Sequence, residues 1–226
     1  MSYRAVLFDL DGTLLDTLSD LADAANQTLA ALDLPEHPEE QYRWFVGDGL
    51  LALMARMLPE SQRTPEDIER AAQIFREKYR HCHNNKTRPY PGIQAMLATL
   101  SRDNFPLTVL SNKPHAFTLI CVQQYFGDQV FCQVLGQRDN VPKKPDPAGA
   151  FEIAAALGLD PASILYVGDS STDMQTATAA GMDAVGVLWG FRDKAELIEN
   201  GARYLVHHPE ELAALVQTGS TVEPRS

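Results

Sequence analysis

Two pairs of closely spaced aspartates are the residues of this sequence best suited to chemistry. Asp9 and Asp11 lie in the segment Asp-Leu-Asp-Gly-Thr, and Asp169 and Asp173 lie in Gly-Asp-Ser-Ser-Thr-Asp. Taken singly, the first pair is equally well explained by a polar turn, and the second pair is better explained by a helix cap. Taken together, they place several hard oxygen ligands at strand ends, which is the ligand type that Mg²⁺ prefers. The two pairs therefore predict a metal-assisted carboxylate nucleophile with a neighbouring acid or base.

Two further polar segments could serve a phosphate group. Ser111 and Asn112 offer a hydroxyl and backbone amides at the end of an apolar run, and such groups can hold phosphate oxygens. Lys143 and Lys144 precede Pro145, and a lysine beside the carboxylates would neutralise phosphate charge as a point cation. In isolation the first segment is an ordinary turn and the second an ordinary loop.

The elements that must position these residues alternate between strands and helices. Apolar runs typical of buried strands precede the polar segments, and helical patterns that end at glycines lie between them. The predicted strands are Ala5–Phe8, Leu107–Leu110, Ile164–Val167 and Ala184–Val187, with weaker strands at Val130–Leu135 and Tyr204–Val206, and the predicted helices include Pro147–Leu157 and Thr172–Ala180. This order predicts an α/β protein whose parallel sheet is covered on both faces. Ligands bind beyond the carboxyl ends of such strands, where the polar segments lie.

Residues 16–86 interrupt the alternation with helical patterns alone. Apolar residues recur at helical spacing after Thr17, and Thr17 with Asp20 resembles a capping box. Further helices are expected over Gly49–Leu58 and Pro65–Arg80. We therefore expect a small helical domain at 16–86, inserted into a catalytic core formed by 1–15 and 87–226.

Composition and charge limit the class of protein. The chain has 226 residues, 45% of them hydrophobic, and a formal net charge of −11. An acidic surface repels phosphate backbones, so we expect no nucleic-acid partner. The three cysteines match no zinc or redox motif, and no apolar run has the length of a membrane span. We expect a cytoplasmic protein without a membrane partner, either a monomer or a homodimer.

In their order along the chain, the four polar segments resemble the motifs of the haloacid dehalogenase superfamily of hydrolases. The resemblance spans nearly the whole chain. It implies a Rossmann-like core of three layers with a parallel sheet, plus an inserted helical cap. It also implies a Mg²⁺ cofactor, and Mn²⁺ and Co²⁺ are the alternatives that the ligand type allows.

The resemblance implies a role for each matching residue. Asp9 would be the nucleophile and a metal ligand, forming an aspartyl-phosphate. Asp11 would protonate the leaving alcohol and then activate water, and its carbonyl would complete the metal site. Ser111 and the backbone of Asn112 would bind the transferring phosphoryl group. Thr13, in the first motif, belongs to the predicted phosphate contacts.

The other two motifs would supply charge. Lys144 would stabilise the phosphoryl group and orient Asp9, because the lysine of the family pattern stands directly before proline; Lys143 is the alternative. Asp169 would bind the metal, and Asp173 would be either a ligand or a supporting partner.

The substrate is less closely defined by the sequence. Gly47 and Gly49, in Arg-Trp-Phe-Val-Gly-Asp-Gly, fit either a specificity loop whose amides approach a small anion or a simple helix break. This segment, with Ser-Asn-Lys-Pro at 111–114, is similar to the phosphoglycolate phosphatase family. The resemblance implies hydrolysis of a small phosphorylated metabolite, 2-phosphoglycolate. The alternatives are a broad phosphatase for sugar phosphates or nucleotides, a pyrophosphatase, and a non-catalytic protein that binds a phosphorylated ligand.

Overall fold

The computed structural model of the protein describes residues 3–102 and 105–218. The strands are β1 (Ala5–Phe8), β2 (Leu15–Asp16), β3 (Arg88–Pro89), β4 (Leu107–Pro114), β5 (Gln133–Gln137), β6 (Ile164–Gly168), β7 (Asp183–Val187) and β8 (Tyr204–Val206). The α-helices are α1 (Leu18–Ala31), α2 (Glu39–Phe45), α3 (Leu50–Met57), α4 (Pro65–Cys82), α5 (Ile93–Arg102), α6 (His115–Phe126), α7 (Ala148–Leu157), α8 (Ser171–Ala180), α9 (Lys194–Glu199) and α10 (Pro209–Thr218). Across these described ranges, no helix combines the length and apolarity needed to cross a bilayer.

The first strand lies in the interior of a six-stranded sheet with the order β5-β4-β1-β6-β7-β8. β1 pairs in parallel with β4 on one side and with β6 on the other. A predicted polar segment follows or ends each of these three strands. Because the carboxyl ends of parallel strands meet at one edge of a sheet, the topology brings the segments together. The predicted α/β class and parallel sheet are confirmed.

Apolar side chains of β1 alternate between the two faces of the sheet. Val6 and Phe8 belong to a buried cluster that includes residues of α5, α6 and α10. Ala5 and Leu7 belong to a second cluster with residues of α7, α8 and α9. This alternation follows from the two-residue period of a strand. The strand that carries Asp9 is therefore held from both faces.

The helix that follows β6 begins and ends as its sequence predicts. Ser170 accepts a hydrogen bond from the Asp173 amide and Asp173 accepts one from the Ser170 amide, forming a capping box. Gly181 ends the helix in the left-handed conformation, with φ of 73°, which glycine adopts without a Cβ penalty. The cap holds Asp173 in the first turn, at the strand end that also carries Asp169.

A helical insert, defined here as α1 to α4, lies between β2 and β3. It has its own buried apolar cluster, which also includes Phe191 from the loop after β7. The predicted helices at 49–58 and 65–80 are observed as α3 and α4, whereas α2 was not predicted. Asp16 lies in the two-residue strand β2, which pairs antiparallel with β3, so the expectation of helices alone over 16–86 was wrong at its first residue. The domain boundaries at 15/16 and 86/87 stay a prediction, and residues 1–2, 103–104 and 219–226 lie outside the described residues.

The predicted capping box between Thr17 and Asp20 was wrong. Thr17 makes no side-chain cap bond to α1. Asp20 is fully buried and accepts hydrogen bonds from the Lys86 amide at 3.0 Å and from the Thr87 amide at 2.8 Å. The returning chain gives the buried carboxylate two amide hydrogen bonds, whereas a capping box would give it one. Hydrogen bonds to a charged group are strong, so the second bond favours this arrangement. Asp20 thus joins the beginning of the insert to its end.

Candidate active site

A buried lysine joins two of the predicted aspartates. The Lys144 ammonium donates to Asp9 Oδ1 at 2.7 Å and to Asp173 Oδ1 at 2.7 Å. Burial raises the pKa of Asp9 well above its usual range, and the charge of Lys144 works against that rise. Burial alone would lower the pKa of Lys144, but Asp173 and Asp9 together hold it well above its usual range. Lys144 is therefore a fixed positive charge beside the predicted nucleophile.

Asp9, Asp169 and Asp173 form a compact cluster of buried carboxylates. Each offers an oxygen within 4.8 Å of the others. Burial, followed by the charge of Asp173, raises the pKa of Asp169 to about 7. One ammonium balances only one of the three buried carboxylate charges. A hard divalent cation would balance the other two. The donor set fits Mg²⁺.

Two glycines make room for Asp169. A Cβ on Gly12, whose φ is +91°, would lie 2.3 Å from Asp169 Oδ2, and a Cβ on Gly190 would lie 2.3 Å from Asp169 Cβ. Asp169 Oδ2 accepts from the Phe191 amide at 2.7 Å, and Oδ1 accepts from the Thr13 hydroxyl at 3.3 Å. The sequence placed Thr13 among the phosphate contacts. The structure buries it against Asp169 instead.

The Ser111–Asn112 segment lies in β4, the strand that pairs with β1 and so lies beside the predicted nucleophile Asp9. Ser111 lines the cleft described below, and its Oγ accepts from the Lys113 amide at 3.2 Å, which leaves the hydroxyl hydrogen to donate to a ligand. The Asn112 side chain accepts from the Lys144 amide at 2.9 Å and donates to the Lys144 carbonyl at 3.1 Å. Asn112 therefore positions the loop that carries Lys144, a function of its side chain that the sequence did not indicate.

The two neighbouring lysines have different partners. Lys144 is buried against Asp9, whereas Lys143 is exposed and donates to the backbone carbonyl of Asp48. Only Lys144 is therefore placed to act on Asp9, as the sequence-based choice between the two lysines expected.

A buried ion pair around Asp11 is the main feature that sequence reasoning missed. The Lys113 ammonium lies 3.0 Å from Asp11 Oδ1 and donates to the Tyr79 hydroxyl at 2.7 Å. Burial works to lower the pKa of Lys113, but Asp11 and Tyr79 raise it well above its usual range. The local pattern of β4 does not indicate this pair, because the strand is buried almost throughout, its register shifts between Leu110 and Pro114, and the partner Tyr79 comes from the insert, far away in the sequence.

The sheet edge and the insert enclose a cleft that is partly open to solvent. Its polar and charged lining residues are Asp9, Asp11, Tyr79, Ser111, Asn112 and Lys113. Gly47 and Gly49 line it from the insert, and the apolar side chains are those of Leu21, Val46, Leu50, Leu53, Phe75, Pro114 and Phe117. Predicted nucleophile, acid and serine thus share one cavity with the two glycines.

Polar contacts join the insert to the loops at the mouth of the cleft. The Asp48 carboxylate accepts from the Thr172 hydroxyl at 2.6 Å and pairs with Arg56. The Arg192 guanidinium donates to the Val46 carbonyl at 2.8 Å, and the Asn112 amide donates to the Gly47 carbonyl at 3.1 Å. These bonds hold the segment that carries both glycines over the strand ends.

The side chains of His115 and Trp189 are engaged in structural contacts. His115 Nδ1 accepts from the Gly136 amide at 3.0 Å, and the Trp189 indole donates to the Thr13 carbonyl at 2.9 Å. Trp189 supports the loop of the first motif.

The molecule is thus an α/β protein with three buried carboxylates and a lysine gathered at the ends of its central parallel strands. The family model for haloacid dehalogenase-like hydrolases matches residues 6–187. The chain belongs to this family.

Similar proteins carry more specific names. A phosphoglycolate phosphatase of Psychrobacter arcticus is 34% identical over 197 residues, which cover 84% of this chain and 86% of that protein. One of Mesorhizobium japonicum is 36% identical, over 86% of each chain. A solved structure from Lactobacillus delbrueckii subsp. bulgaricus has 30% identity and a TM-score of 0.89, covering 96% of this chain and 99% of that one.

Proposed function

We propose that this protein is a Mg²⁺-dependent phosphatase that hydrolyses 2-phosphoglycolate through an aspartyl-phosphate on Asp9. The observation that carries the proposal is the contact of Lys144 with both Asp9 and Asp173, inside a cluster of three buried carboxylates. Phosphoryl transfer depends mainly on positioning and charge neutralisation, which is what this arrangement supplies. The relatives named phosphoglycolate phosphatase support the substrate. Location in the cytoplasm and a monomeric or homodimeric state stay predictions.

The residues divide the reaction into two displacements. Asp9 attacks phosphorus, the bond from phosphorus to the ester oxygen breaks, and Asp11 gives its proton to the leaving alkoxide. Asp11, now a carboxylate, takes a proton from water as that water attacks phosphorus, and the bond from phosphorus to Asp9 breaks. Inorganic phosphate leaves and Asp9 is restored. A covalent intermediate of this kind replaces one difficult step by two easier ones.

Fixed groups around the phosphoryl oxygens would offset their charge. Lys144 holds a positive charge against Asp9, and the Ser111 hydroxyl faces the same cleft. Asp9, Asp169 and the Asp11 carbonyl would hold Mg²⁺, which when bound supplies further charge neutralisation. Asp173 has one oxygen on Lys144 at 2.7 Å and the other on the Ser170 hydroxyl at 2.6 Å. We therefore assign Asp173 to positioning Lys144.

Phosphate release from a panel of esters tests the proposal. The panel contains 2-phosphoglycolate, sugar phosphates, pyrophosphate and nucleotides, each with Mg²⁺ and with a chelator. Asp9→Asn serves as the blank, and Asp139→Asn makes the same chemical change at an exposed position. We expect Asp139→Asn to retain activity and Asp9→Asn to lose it. After a pulse of substrate, mass spectrometry should detect a phosphorylated Asp9.

The possible outcomes separate the alternatives. A kcat/KM for 2-phosphoglycolate at least a hundredfold above the other esters, about 2.7 kcal/mol in transition-state binding, supports the specific function. Equal activity across the panel would replace it with a broad phosphatase. An absence of activity above the blank, with Mg²⁺, Mn²⁺ or Co²⁺, would refute the enzyme and favour a protein that only binds phosphorylated ligands.

A further inference from the structure

Lys113 is a buried cation that faces the cleft without contacting the predicted nucleophile. Its side chain is 3% exposed, and its ammonium lies 3.0 Å from Asp11 Oδ1 and 3.1 Å from Asp11 Oδ2. It also donates to the Tyr79 hydroxyl and lies 4.8 Å from the centre of the Tyr79 ring. Burying a lysine costs free energy. Lys113 lines the same cleft as Asp11, so a substrate bound there can approach its ammonium.

The composition of the cleft limits where a second anionic group of a substrate can bind. Of the described residues that line it, Lys113 alone carries a positive charge, and the wall formed by the insert is largely apolar. A carboxylate or a set of sugar hydroxyls placed against that wall would lose water without gaining a partner. For an anionic group, Lys113 is the charged partner in the cleft that offsets this cost.

The distance from Asp11 sets how short such a substrate must be. As the general acid, Asp11 must come within hydrogen-bond reach of the ester oxygen, about 3 Å. Lys113 lies 3.0 Å from that same carboxylate. A carboxylate attached to the carbon next to the ester oxygen can therefore reach Lys113 while Asp11 reaches the oxygen. A carboxylate several carbons further along would be directed past Lys113.

We propose that Lys113 and Tyr79 form the recognition site for the carboxylate of a two-carbon phosphate ester. This inference rests on the proposed function and identifies the residues that select its substrate. The Lys113 ammonium gives up one of its two contacts with Asp11 and pairs with one oxygen of the substrate carboxylate. The Tyr79 hydroxyl accepts from Lys113, and its own hydrogen is left to donate to the other oxygen. Because Tyr79 comes from α4 and Lys113 from β4, the site is complete only when the insert packs on the sheet.

A pair of substrates separates recognition of the carboxylate from support of Asp11. The esters are 2-phosphoglycolate and 2-hydroxyethyl phosphate, which has a neutral group at the same position. We expect Lys113→Met to lower kcat/KM for both, because Asp11 loses its partner, but to lower it for 2-phosphoglycolate on the order of 100-fold more. Lys113→Arg should restore part of the ratio. Tyr79→Phe, which keeps the ring, should lower the ratio on the order of tenfold.

Product inhibition supplies a readout that does not depend on Asp11 chemistry. Glycolate should inhibit hydrolysis of 2-hydroxyethyl phosphate by the wild type, and Lys113→Met and Tyr79→Phe should each weaken that inhibition. Equal losses on the two esters, with glycolate inhibition unchanged, would overturn the inference and leave Lys113 as a positioning residue for Asp11. If Lys113→Met does not fold, Tyr79→Phe and Lys113→Arg decide between the same outcomes.

The outcome for the wild type keeps this inference distinct from the proposed function. A wild-type enzyme that prefers 2-phosphoglycolate while Lys113→Met keeps the same preference would refute the inference alone. A wild-type enzyme that hydrolyses both esters equally would refute the proposed substrate, and the carboxylate site with it.

Discussion

Replacing Lys144 by methionine tests whether its ammonium balances the carboxylate cluster. Lys144 is 4% exposed in its side chain and lies 2.7 Å from each of Asp9 and Asp173. Removing one partner of a buried ion pair destabilises a protein by about 3–5 kcal/mol, since it leaves uncompensated buried charge. Without metal, we expect Lys144→Met to lower the free energy of unfolding within that range at pH 7.

The neighbouring residue supplies a matched control. Lys143 is exposed and its ammonium donates to one backbone carbonyl, that of Asp48. Lys143→Met should therefore change the free energy of unfolding by about 0.5 kcal/mol or less. The same substitution, one position apart, then differs mainly in the charge removed from the site.

The assay is urea unfolding followed by circular dichroism in a chelating buffer, from pH 5 to pH 8. The deficit of Lys144→Met should grow as pH rises, because Asp9 and Asp169 already have raised pKa values and are easier to accommodate when protonated at low pH. If the two variants differ by less than about 0.5 kcal/mol at pH 7, the charge-balance argument is refuted. In the phosphatase assay, only Lys144→Met should abolish turnover.

Three further predictions concern the metal ligand, the glycine beside it and the junction of the insert. The pKa of Asp169 is raised to about 7 from 3.8, so its contribution to the stability of metal-free protein is present below pH 4 and is lost as pH rises to 7. Asp169→Asn should remove this dependence, at most about 1.4 kcal/mol per pH unit, in melting curves recorded across pH. Gly12→Ala puts a Cβ 2.3 Å from Asp169 Oδ2 and should abolish Mg²⁺-dependent activity. In the control Gly158→Ala the new Cβ has nothing within 4 Å, and the change should cost only about 1 kcal/mol of stability. Equal activities of the two variants would contradict the packing argument. Asp20→Asn keeps one acceptor oxygen for the amides that Asp20 now binds, and it should lower the free energy of unfolding by about 1–3 kcal/mol, measured by calorimetry. An unchanged melting temperature would show that the junction does not depend on the charge of Asp20.

The local features of this fold could be predicted because short-range physics decides them. A run of apolar residues such as Ala5–Phe8 is stable only when buried, so the pattern identifies the strand. Gly181 ends its helix because glycine, which has no Cβ, adopts the left-handed backbone conformation without a steric penalty. The ordered motifs then indicated the carboxylates and the lysine that the sheet topology brings to one edge.

Contacts between distant segments could not be predicted in this way. A local rule paired Asp20 with Thr17, but the amides at 86 and 87 bind it in the structure. Tyr79 and Lys113 are 34 positions apart, and nothing in either local pattern indicates the other.

Residue order alone predicts the alternation of strands and helices, the polar ends of the central strands and the residue types of the site. The family resemblance already favoured Lys144 over Lys143, whereas the pairing of Asp11 with Lys113 and of Lys144 with Asp173 became visible in the folded molecule alone. The physical reason is that residue type and periodicity set local conformation and burial. The partner of a buried charge is instead whichever opposite charge or polar group the packing of remote elements brings within about 3 Å.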